Sequence, residues 1–263
     1  MTPSGSAQAP RASVQGSYCK MAAAAVVGSS HEERGQPCQD YTAVMRSPGS
    51  CAIVLADGAG SARHAELGAR TAVSSMLRML RTELGTLLAL SHGEAAARIV
   101  ARLQRGLARQ AARHDSELHD LASTLLFAAT DGQRFLCGQL GDGRVARFDP
   151  SLHEACALFE PHKGEFLNQT LFLTASSAAR ELQLVSGSAA EVGGFALLSD
   201  GAEESLYQRA QASFAPALLR MAGWLSVHSE RRVKEALHKN LTKALRERTG
   251  DDVSLAIMRV QAY

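Results

Sequence analysis

Residues 53–58 read Ile-Val-Leu-Ala-Asp-Gly, a short apolar run that ends in a small residue and is followed by an aspartate-glycine pair. Related arrangements recur along the chain in residues 136–143 (ending Gly141-Asp142-Gly143), in residues 195–201 (ending Ser199-Asp200-Gly201) and in residues 251–258, where Asp251-Asp252 precedes the apolar run. Asp-Gly alone is an ordinary turn dipeptide, because glycine tolerates a positive φ. Aspartates that repeatedly lie at the mouths of buried strands are less ordinary, since side chains at one edge of a scaffold can converge in space.

Converging aspartates indicate a bound divalent cation. Carboxylates that lie close together repel each other unless they are protonated or bound to a cation. Hard carboxylate oxygens suit Mg²⁺ or Mn²⁺ better than Zn²⁺, which prefers cysteine and histidine. We leave Asp131-Gly132 out of this set, because it separates two apolar runs and is typical of a β-hairpin turn.

Short apolar runs of β type alternate with long amphipathic helical stretches. The predicted strands are Met21–Gly28, Thr42–Met45, Cys51–Ala56, Leu125–Ala129, Arg134–Leu140, Arg144–Phe148, Phe195–Ser199 and Val253–Val260. The predicted helices run from Glu66 to about Leu84, from Glu94 to Arg113, and from Ser229, a candidate N-cap, through Leu245.

The chain has no internal repeat and no break in composition that marks a second domain. Residues 1–16 are rich in Ser, Ala, Gly and Pro, so we expect a disordered leader there and a single domain over residues 17–263. Segment 150–192 is less regular than its neighbours, and we interpret it as an insertion or flap.

Composition excludes several classes of protein. The 263 residues carry 28 Lys and Arg against 26 Asp and Glu, a formal net charge of +2, which gives no electrostatic footprint for nucleic acid or an anionic membrane. No apolar stretch approaches the roughly 20 residues that span a bilayer. The five cysteines form no C-x-x-C pair, which favours buried thiols in a reducing compartment. We therefore expect a cytoplasmic protein.

The ordered set of motifs resembles the metal-dependent protein phosphatases of type 2C, the PPM family, from about Gly28 to Val260. The motifs that carry this resemblance are Gln39-Asp40 (the opening acidic motif), Asp57-Gly58-Ala59-Gly60-Ser61 (D-G-x-G-G), Ser123-Thr124-Leu125 (the start of the central hairpin), Gly141-Asp142-Gly143-Arg144 (G-D-S-R), Ser199-Asp200-Gly201 (S-D-G) and Asp251-Asp252-Val253-Ser254 (D-N-x-[ST]). Each motif alone is weak, but their order is specific. Residues 30–40 and 164–170 are similar to one compact bacterial branch of the family.

The resemblance implies an α+β fold, a four-layer α/β/β/α sandwich of two mostly antiparallel sheets flanked by helices. It also implies a site of two Mg²⁺ or Mn²⁺ ions, with a third in some bacterial relatives. Asp57 would bridge two ions, the Gly58 carbonyl would bind the second, and Asp200 and Asp251 would hold the first. Asp142 would hold a third ion with Asp200. Asp40 would act directly or through an ordered water.

The implied activity is hydrolysis of phosphoserine and phosphothreonine in proteins by a metal-activated water. Asp57 and Asp40 would serve catalysis, and Arg34 is the candidate for binding the phosphate. The implied partners are a phosphorylated protein substrate and a cognate serine/threonine kinase, and we expect a monomer.

Four positions depart from the family pattern. Gln39 stands where many relatives have a metal-binding Glu, and Arg34 lies one residue earlier than the usual phosphate-binding arginine. Ala59 replaces a histidine that is offered as the general acid in eukaryotic relatives, so a metal-bound water, His31 and His64 are the alternative proton donors to the leaving group. Asp252 replaces the usual Asn.

Two other classes of function stay open. One is a non-catalytic, phosphatase-like binding or regulatory module in a bacterial signalling complex, which Gln39 and the displaced Arg34 favour. The other is a two-metal nuclease, which the near-neutral charge and the lack of an aromatic-basic stripe oppose.

Overall fold

The computed structural model describes residues 18–159 and 170–261. The predicted leader, residues 1–16, lies outside the described residues, and so do residues 164–169 of the segment that resembles the bacterial branch. All structural statements below concern the described residues.

Twelve strands and seven α-helices make up the described chain. The strands are β1 (Tyr18–Val26), β2 (Asp40–Ser47), β3 (Ser50–Asp57), β4 (Leu125–Thr130), β5 (Arg134–Leu140), β6 (Arg144–Phe148), β7 (Ala155–Ala157), β8 (Gln183–Ser188), β9 (Gly194–Leu198), β10 (Tyr207–Gln208), β11 (Ser213–Phe214) and β12 (Val253–Gln261). The helices are α1 (Ser29–Glu33), α2 (Ala65–Leu87), α3 (His92–Arg113), α4 (Ala178–Glu181), α5 (Asp200–Leu206), α6 (Pro216–Val227) and α7 (Glu230–Asn240). Short 3₁₀ turns occur at Leu118–Leu121, Ala189–Glu191 and Arg246–Arg248, and a π-helical turn, Leu241–Leu245, extends α7.

The strands form two five-stranded antiparallel sheets and one small hairpin of β10 and β11. The first sheet has the order β1-β12-β9-β6-β7, and the second has the order β2-β3-β4-β5-β8. One core lies between the sheets, a second lies between the second sheet and helices α2 and α3, and a third lies between the first sheet and helices α5 to α7. These layers confirm the predicted α/β/β/α sandwich.

Strand β3 separates two cores, because successive side chains of a strand point to opposite faces of its sheet. Ile53 and Leu55 pack between the two sheets, whereas Val54 and Ala56 pack against the helices. All four are fully buried, which explains why the strand reads as a continuous apolar run. Asp57 follows Ile53 and Leu55 in alternation, so its side chain continues the row between the sheets.

Helices α2 and α3 follow their predicted periodicity. Helix α3 starts with a capping box, in which the Ser91 hydroxyl accepts the backbone N–H of Glu94 and the Glu94 carboxylate accepts that of Ser91. The buried face of α3 includes Ile99, Leu103 and Leu107. Ser229 caps α7, as predicted, by accepting the N–H of Arg232 at 3.4 Å.

Segment 150–192 contains two strands of the main sheets. Strand β7 pairs with β6, and β8 pairs with β5 over six residue positions. The interpretation as an insertion or flap therefore does not describe these two strands. Strand β8, Gln-Leu-Val-Ser-Gly-Ser, was not predicted because it is an edge strand with few apolar residues. For the remainder of the segment that interpretation stays a prediction.

Among the described residues, no helix is both long and apolar enough to cross a membrane.

Candidate metal centre

Asp40 and Asp57 lie directly opposite each other at the open end of the β2–β3 ladder. Residues opposed in an antiparallel pair share one face of the sheet, so both carboxylates lie between the two sheets. Asp40 is 4% exposed, and neither of its carboxylate oxygens accepts a hydrogen bond of ordinary geometry from the described residues. A buried carboxylate with unsatisfied oxygens beside a second, half-buried carboxylate is costly unless a proton or a cation joins them.

Thr124 fixes the main chain at Asp57. Its hydroxyl accepts the Asp57 N–H at 2.9 Å, and its own N–H donates to the Asp57 carbonyl at 2.8 Å. The next residue, Gly58, donates to the Gln39 carbonyl at 3.2 Å. A Cβ at Gly58 would lie 2.5 Å from the carbonyl oxygen of Ala65, so only glycine lets this segment pass the first residue of α2.

Asp200, Asp251 and Asp142 come from three other chain segments. Asp200 is the first residue of α5, after β9, and accepts the N–H of Gly201 at 2.7 Å. Asp251 is exposed, two residues before the start of β12, and accepts the N–H of Asp252 at 2.8 Å. Asp142 lies in the β5–β6 connection and accepts the Thr170 hydroxyl at 2.8 Å.

The carboxylates of the other four aspartates act electrostatically on Asp57. Burial, followed by the carboxylates of Asp40, Asp200, Asp142 and Asp251, raises the pKa of Asp57 well above its usual value. Burial is also the main cause that raises the pKa of Asp200 to about 6, with Asp142 and Asp251 contributing.

Asp40 follows the same pattern, since burial chiefly raises its pKa to about 7. Asp252 and Asp200 add to this rise, and the nearby Ser254 and Ser199 hydroxyls oppose it. A metal-free site of this kind holds protons near neutral pH.

The donor set fits a hard divalent cation. It consists of carboxylates with no lysine or arginine paired to Asp40, Asp57, Asp200 or Asp251 among the described residues, and the buried Gln39 Oε1 also lacks a hydrogen-bond partner there. As the described side chains stand, no three or more His, Cys, Asp or Glu residues are close enough to coordinate one ion.

Asp252 ties the segments of the site together. Its Oδ1 accepts the Gly28 N–H at 2.6 Å, and its Oδ2 accepts the Gln39 N–H at 2.6 Å. His31 Nδ1 lies 3.0 Å from the same Oδ1. An Asn would present an NH₂ group to one of these donors, so the departure from the family pattern has a structural reason: both oxygens must accept.

The other candidate residues differ in their surroundings. Arg34 is exposed where α1 ends, and it forms no ion pair with the described aspartates. Its role in phosphate binding stays a prediction. His31 lies against Asp252, whereas His64 lies at the start of α2, with its ring 5.9 Å from that of His114. Ala59 is buried.

Arg144, the last residue of the Gly-Asp-Gly-Arg motif, has a structural partner that the sequence did not reveal. Its guanidinium donates to Glu203 at 3.0 Å and lies over the Tyr207 ring at 4.6 Å from the centroid. Arg144 and Glu203 are both buried, and they join β6 to α5, the helix that starts with Asp200. No spacing rule could pair residues 59 positions apart.

This four-layer sandwich, with a cluster of aspartates at the edge between its sheets, has the fold of the PPM phosphatases. The model of the family described as Protein phosphatase 2C matches residues 27–245, so the chain belongs to that family. Among curated proteins, no sequence matches significantly.

Solved structures share the fold at low sequence identity. Serine/threonine phosphatase Stp1 from Staphylococcus aureus is 11% identical with a TM-score of 0.64, and the match covers 97% of this chain and 100% of Stp1. The catalytic domain of serine threonine protein phosphatase PstP, solved with 2 manganese ions, is 17% identical with a TM-score of 0.59, covering 92% and 98%. A structure from work on the bacterial stressosome is 15% identical with a TM-score of 0.60, covering 92% and 100%.

We expect the metal-free protein to lose stability as pH rises. The folded pKa of Asp40, about 7, exceeds its unfolded value of 3.8, so the folded state binds more protons between these values. Raising the pH from 5 to 8 should therefore lower the free energy of unfolding by roughly 2 kcal/mol. Urea unfolding in chelator at both pH values measures this. Asp40→Asn should reduce the difference and leave the part that comes from Asp57 and Asp200, whose pKa values are also raised. An unchanged difference in that variant would contradict the assignment.

Proposed function

We propose that the protein is a metal-dependent serine/threonine protein phosphatase that acts in the cytoplasm of a bacterium, as a monomer, on proteins phosphorylated by a cognate serine/threonine kinase. The observation that carries this proposal is the pairing of Asp40 with Asp57 between the two sheets, electrostatically coupled to Asp142, Asp200 and Asp251. The manganese-bound PstP domain supports it by similarity of fold.

The residues that would hold two Mg²⁺ or Mn²⁺ ions are Asp57, the Gly58 carbonyl, Asp200 and Asp251, with Asp40 beside them and Asp142 near a third. When bound, such a pair of cations supplies a water of lowered pKa as nucleophile and neutralises charge on the phosphoryl oxygens.

The chain's own residues prepare this site. Thr124 holds the backbone of Asp57, and Asp252 holds Gln39 next to Asp40. Asp40, with its pKa raised to about 7, carries a proton in much of the metal-free population at neutral pH. Cation binding therefore competes with protons, and affinity should rise with pH through that range.

We expect hydrolysis of p-nitrophenyl phosphate and of a phosphothreonine peptide in the presence of Mn²⁺ and none in excess EDTA, with recovery when Mn²⁺ is restored. The reason is that the proposed nucleophile is a metal-activated water, which the aspartates cannot replace without the cation. Initial rates over a Mn²⁺ titration measure this. Activity that persists in EDTA would contradict the proposal.

A non-catalytic signalling module is the second candidate. Gln39 at the position of a metal-binding Glu, and the exposed Arg34, favour it. One of the matched structures comes from work on the bacterial stressosome, a modular system adapted to control secondary messenger signalling. Calorimetric titration with Mn²⁺ separates the two candidates, because a module without catalysis should bind the ion weakly or not at all.

A further inference from the structure

A basic groove lies between α2 and α3, on the outer face of the second sheet. It has a volume of about 470 Å³, and five arginines line it: Arg78 from α2, and Arg102, Arg105, Arg109 and Arg113 from α3. No acidic residue lines it. The near-neutral net charge of the chain therefore conceals a strong local concentration of positive charge.

Most of this charge is unbalanced within the protein. Arg102 lies 3.2 Å from Glu83. For Arg78, Arg105, Arg109 and Arg113, no carboxylate of the described residues lies within 4.0 Å. Arg105 and Arg109 instead donate their Nε–H groups at 3.1 Å to backbone carbonyls one helical turn earlier. Like charges at i and i+4 destabilise a helix, so this row costs free energy that a bound anion would offset.

The arginines form a straight row. Positions 102, 105, 109 and 113 are separated by three or four residues, so they share one face of α3. At a rise of 1.5 Å per residue the row extends over roughly 16 Å. Such a row matches several negative charges in line better than a single phosphate.

The floor of the groove is polar and closely packed. The hydroxyl groups of Thr71 and Ser75 belong to buried residues that line it, and the Ser75 hydroxyl accepts a hydrogen bond from Arg78 at 3.2 Å. A Cβ at Gly106 would lie 3.0 Å from Ser75 Oγ. The glycine therefore lets α3 approach α2 and leaves room above the hydroxyls.

The chemistry of the lining selects among anions. The groove offers guanidinium groups, hydroxyls and the Gln110 amide, but no aromatic ring for base stacking and no large apolar side chain to anchor a peptide. Among the described residues, the large apolar side chains that are exposed, Val44 and Val227, are not part of it. Guanidinium forks bind phosphate oxygens in pairs.

We propose that the groove between α2 and α3 is a binding site for a linear oligophosphate, an anion with at least three phosphate groups in a row. The juxtaposition that supports it is the row of four α3 arginines with Arg78 above the Thr71 and Ser75 hydroxyls. The site is separate from the aspartate cluster and does not depend on the proposed phosphatase activity.

Calorimetric titration of the full chain with sodium tripolyphosphate, in metal-free buffer, tests this. We expect saturable binding to one site per chain, weaker binding of inorganic phosphate, and a steep loss of affinity as salt increases. Arg105→Glu/Arg109→Glu should weaken binding about tenfold or more, because each lost guanidinium removes charge-assisted hydrogen bonds. The affinity of the neutral double variant Arg105→Gln/Arg109→Gln should lie between those of the wild type and of Arg105→Glu/Arg109→Glu.

The matched control is Arg220→Glu/Arg232→Glu, which makes the same charge change at exposed positions outside the groove. It should bind as the wild type does, and so should Asp57→Asn. Equal losses of tripolyphosphate affinity in Arg105→Glu/Arg109→Glu and Arg220→Glu/Arg232→Glu would show a general charge effect and overturn the proposal. Absence of saturable binding at physiological salt would also overturn it, as would stronger binding of a poly-glutamate peptide, duplex DNA or anionic vesicles.

Discussion

If the protein has the proposed phosphatase activity, Asp57→Asn should lower its manganese-dependent rate by about a thousandfold, because in the proposed site this carboxylate would be shared by two cations and contribute several kcal/mol of transition-state stabilisation. Asn keeps the size of the side chain but loses the charge and one acceptor oxygen. The backbone bonds from Thr124 to Asp57 do not involve the carboxylate, so the fold should persist. Removing one carboxylate from the crowded cluster should even stabilise the metal-free protein at pH 8.

The measurement is the initial rate with a phosphothreonine peptide over a range of Mn²⁺ concentrations. Asp131→Asn is the matched control, because Asp131 also stands in an Asp-Gly pair but lies in the β4–β5 hairpin turn. It should retain nearly full activity. A variant at Asp57 that kept more than about a tenth of the wild-type rate would exclude the proposed role of this residue.

Asp252→Ala should destabilise the protein by about 3 kcal/mol, because it leaves the buried N–H groups of Gly28 and Gln39 without acceptors. For a chain of this size that corresponds to a fall in Tm of roughly 10 °C. Asp252→Asn should cost less, about 1 kcal/mol, since one oxygen still accepts. Relief of the repulsion between Asp252 and Asp40 limits both losses.

Chemical unfolding in EDTA measures these differences. The adjacent Asp251→Asn is the control, because Asp251 is exposed and its accepted hydrogen bond from Asp252 survives in the amide. We expect Asp251→Asn to keep normal stability but to bind Mn²⁺ more weakly. We expect Asp252→Asn to lose stability but to bind Mn²⁺ as the wild type does. Equal stability of the Asp252→Ala variant and the wild type would refute the structural role of Asp252.

Much of the fold was predictable because burial leaves a periodic trace in the sequence. Strands β5 and β6 have the predicted bounds. The bounds of α2 and α3 differ from their predicted bounds by three residues or fewer at each end. The edge strand β8 was missed because half-exposed positions carry little apolar pattern. Helix α6 was missed as well. It has no long polar face opposite apolar residues such as Leu218 and Met221, so its sequence lacks a clear helical period.

The aspartates of the site were predictable from the sequence, but the contacts that hold them in place were not. Aspartates at strand ends can be identified from local sequence, and the structure brings the five predicted ones into one electrostatic cluster. The contacts of Asp252 with Gly28 and Gln39 connect positions more than 200 residues apart. Such contacts follow from the pairing of β1 with β12, which local patterns do not encode.

The alternation in β3 has a consequence for how sequence change reaches the site. Ile53 and Leu55 share the inter-sheet layer with Asp57, whereas Val54 and Ala56 belong to the layer under α2. A change of volume at an odd-numbered position pushes the sheets apart along the row that ends in Asp57, and one at an even-numbered position is absorbed by a helix. We therefore expect substitutions at Ile53 and Leu55 to affect the position of Asp57 more than substitutions at Val54 and Ala56 do.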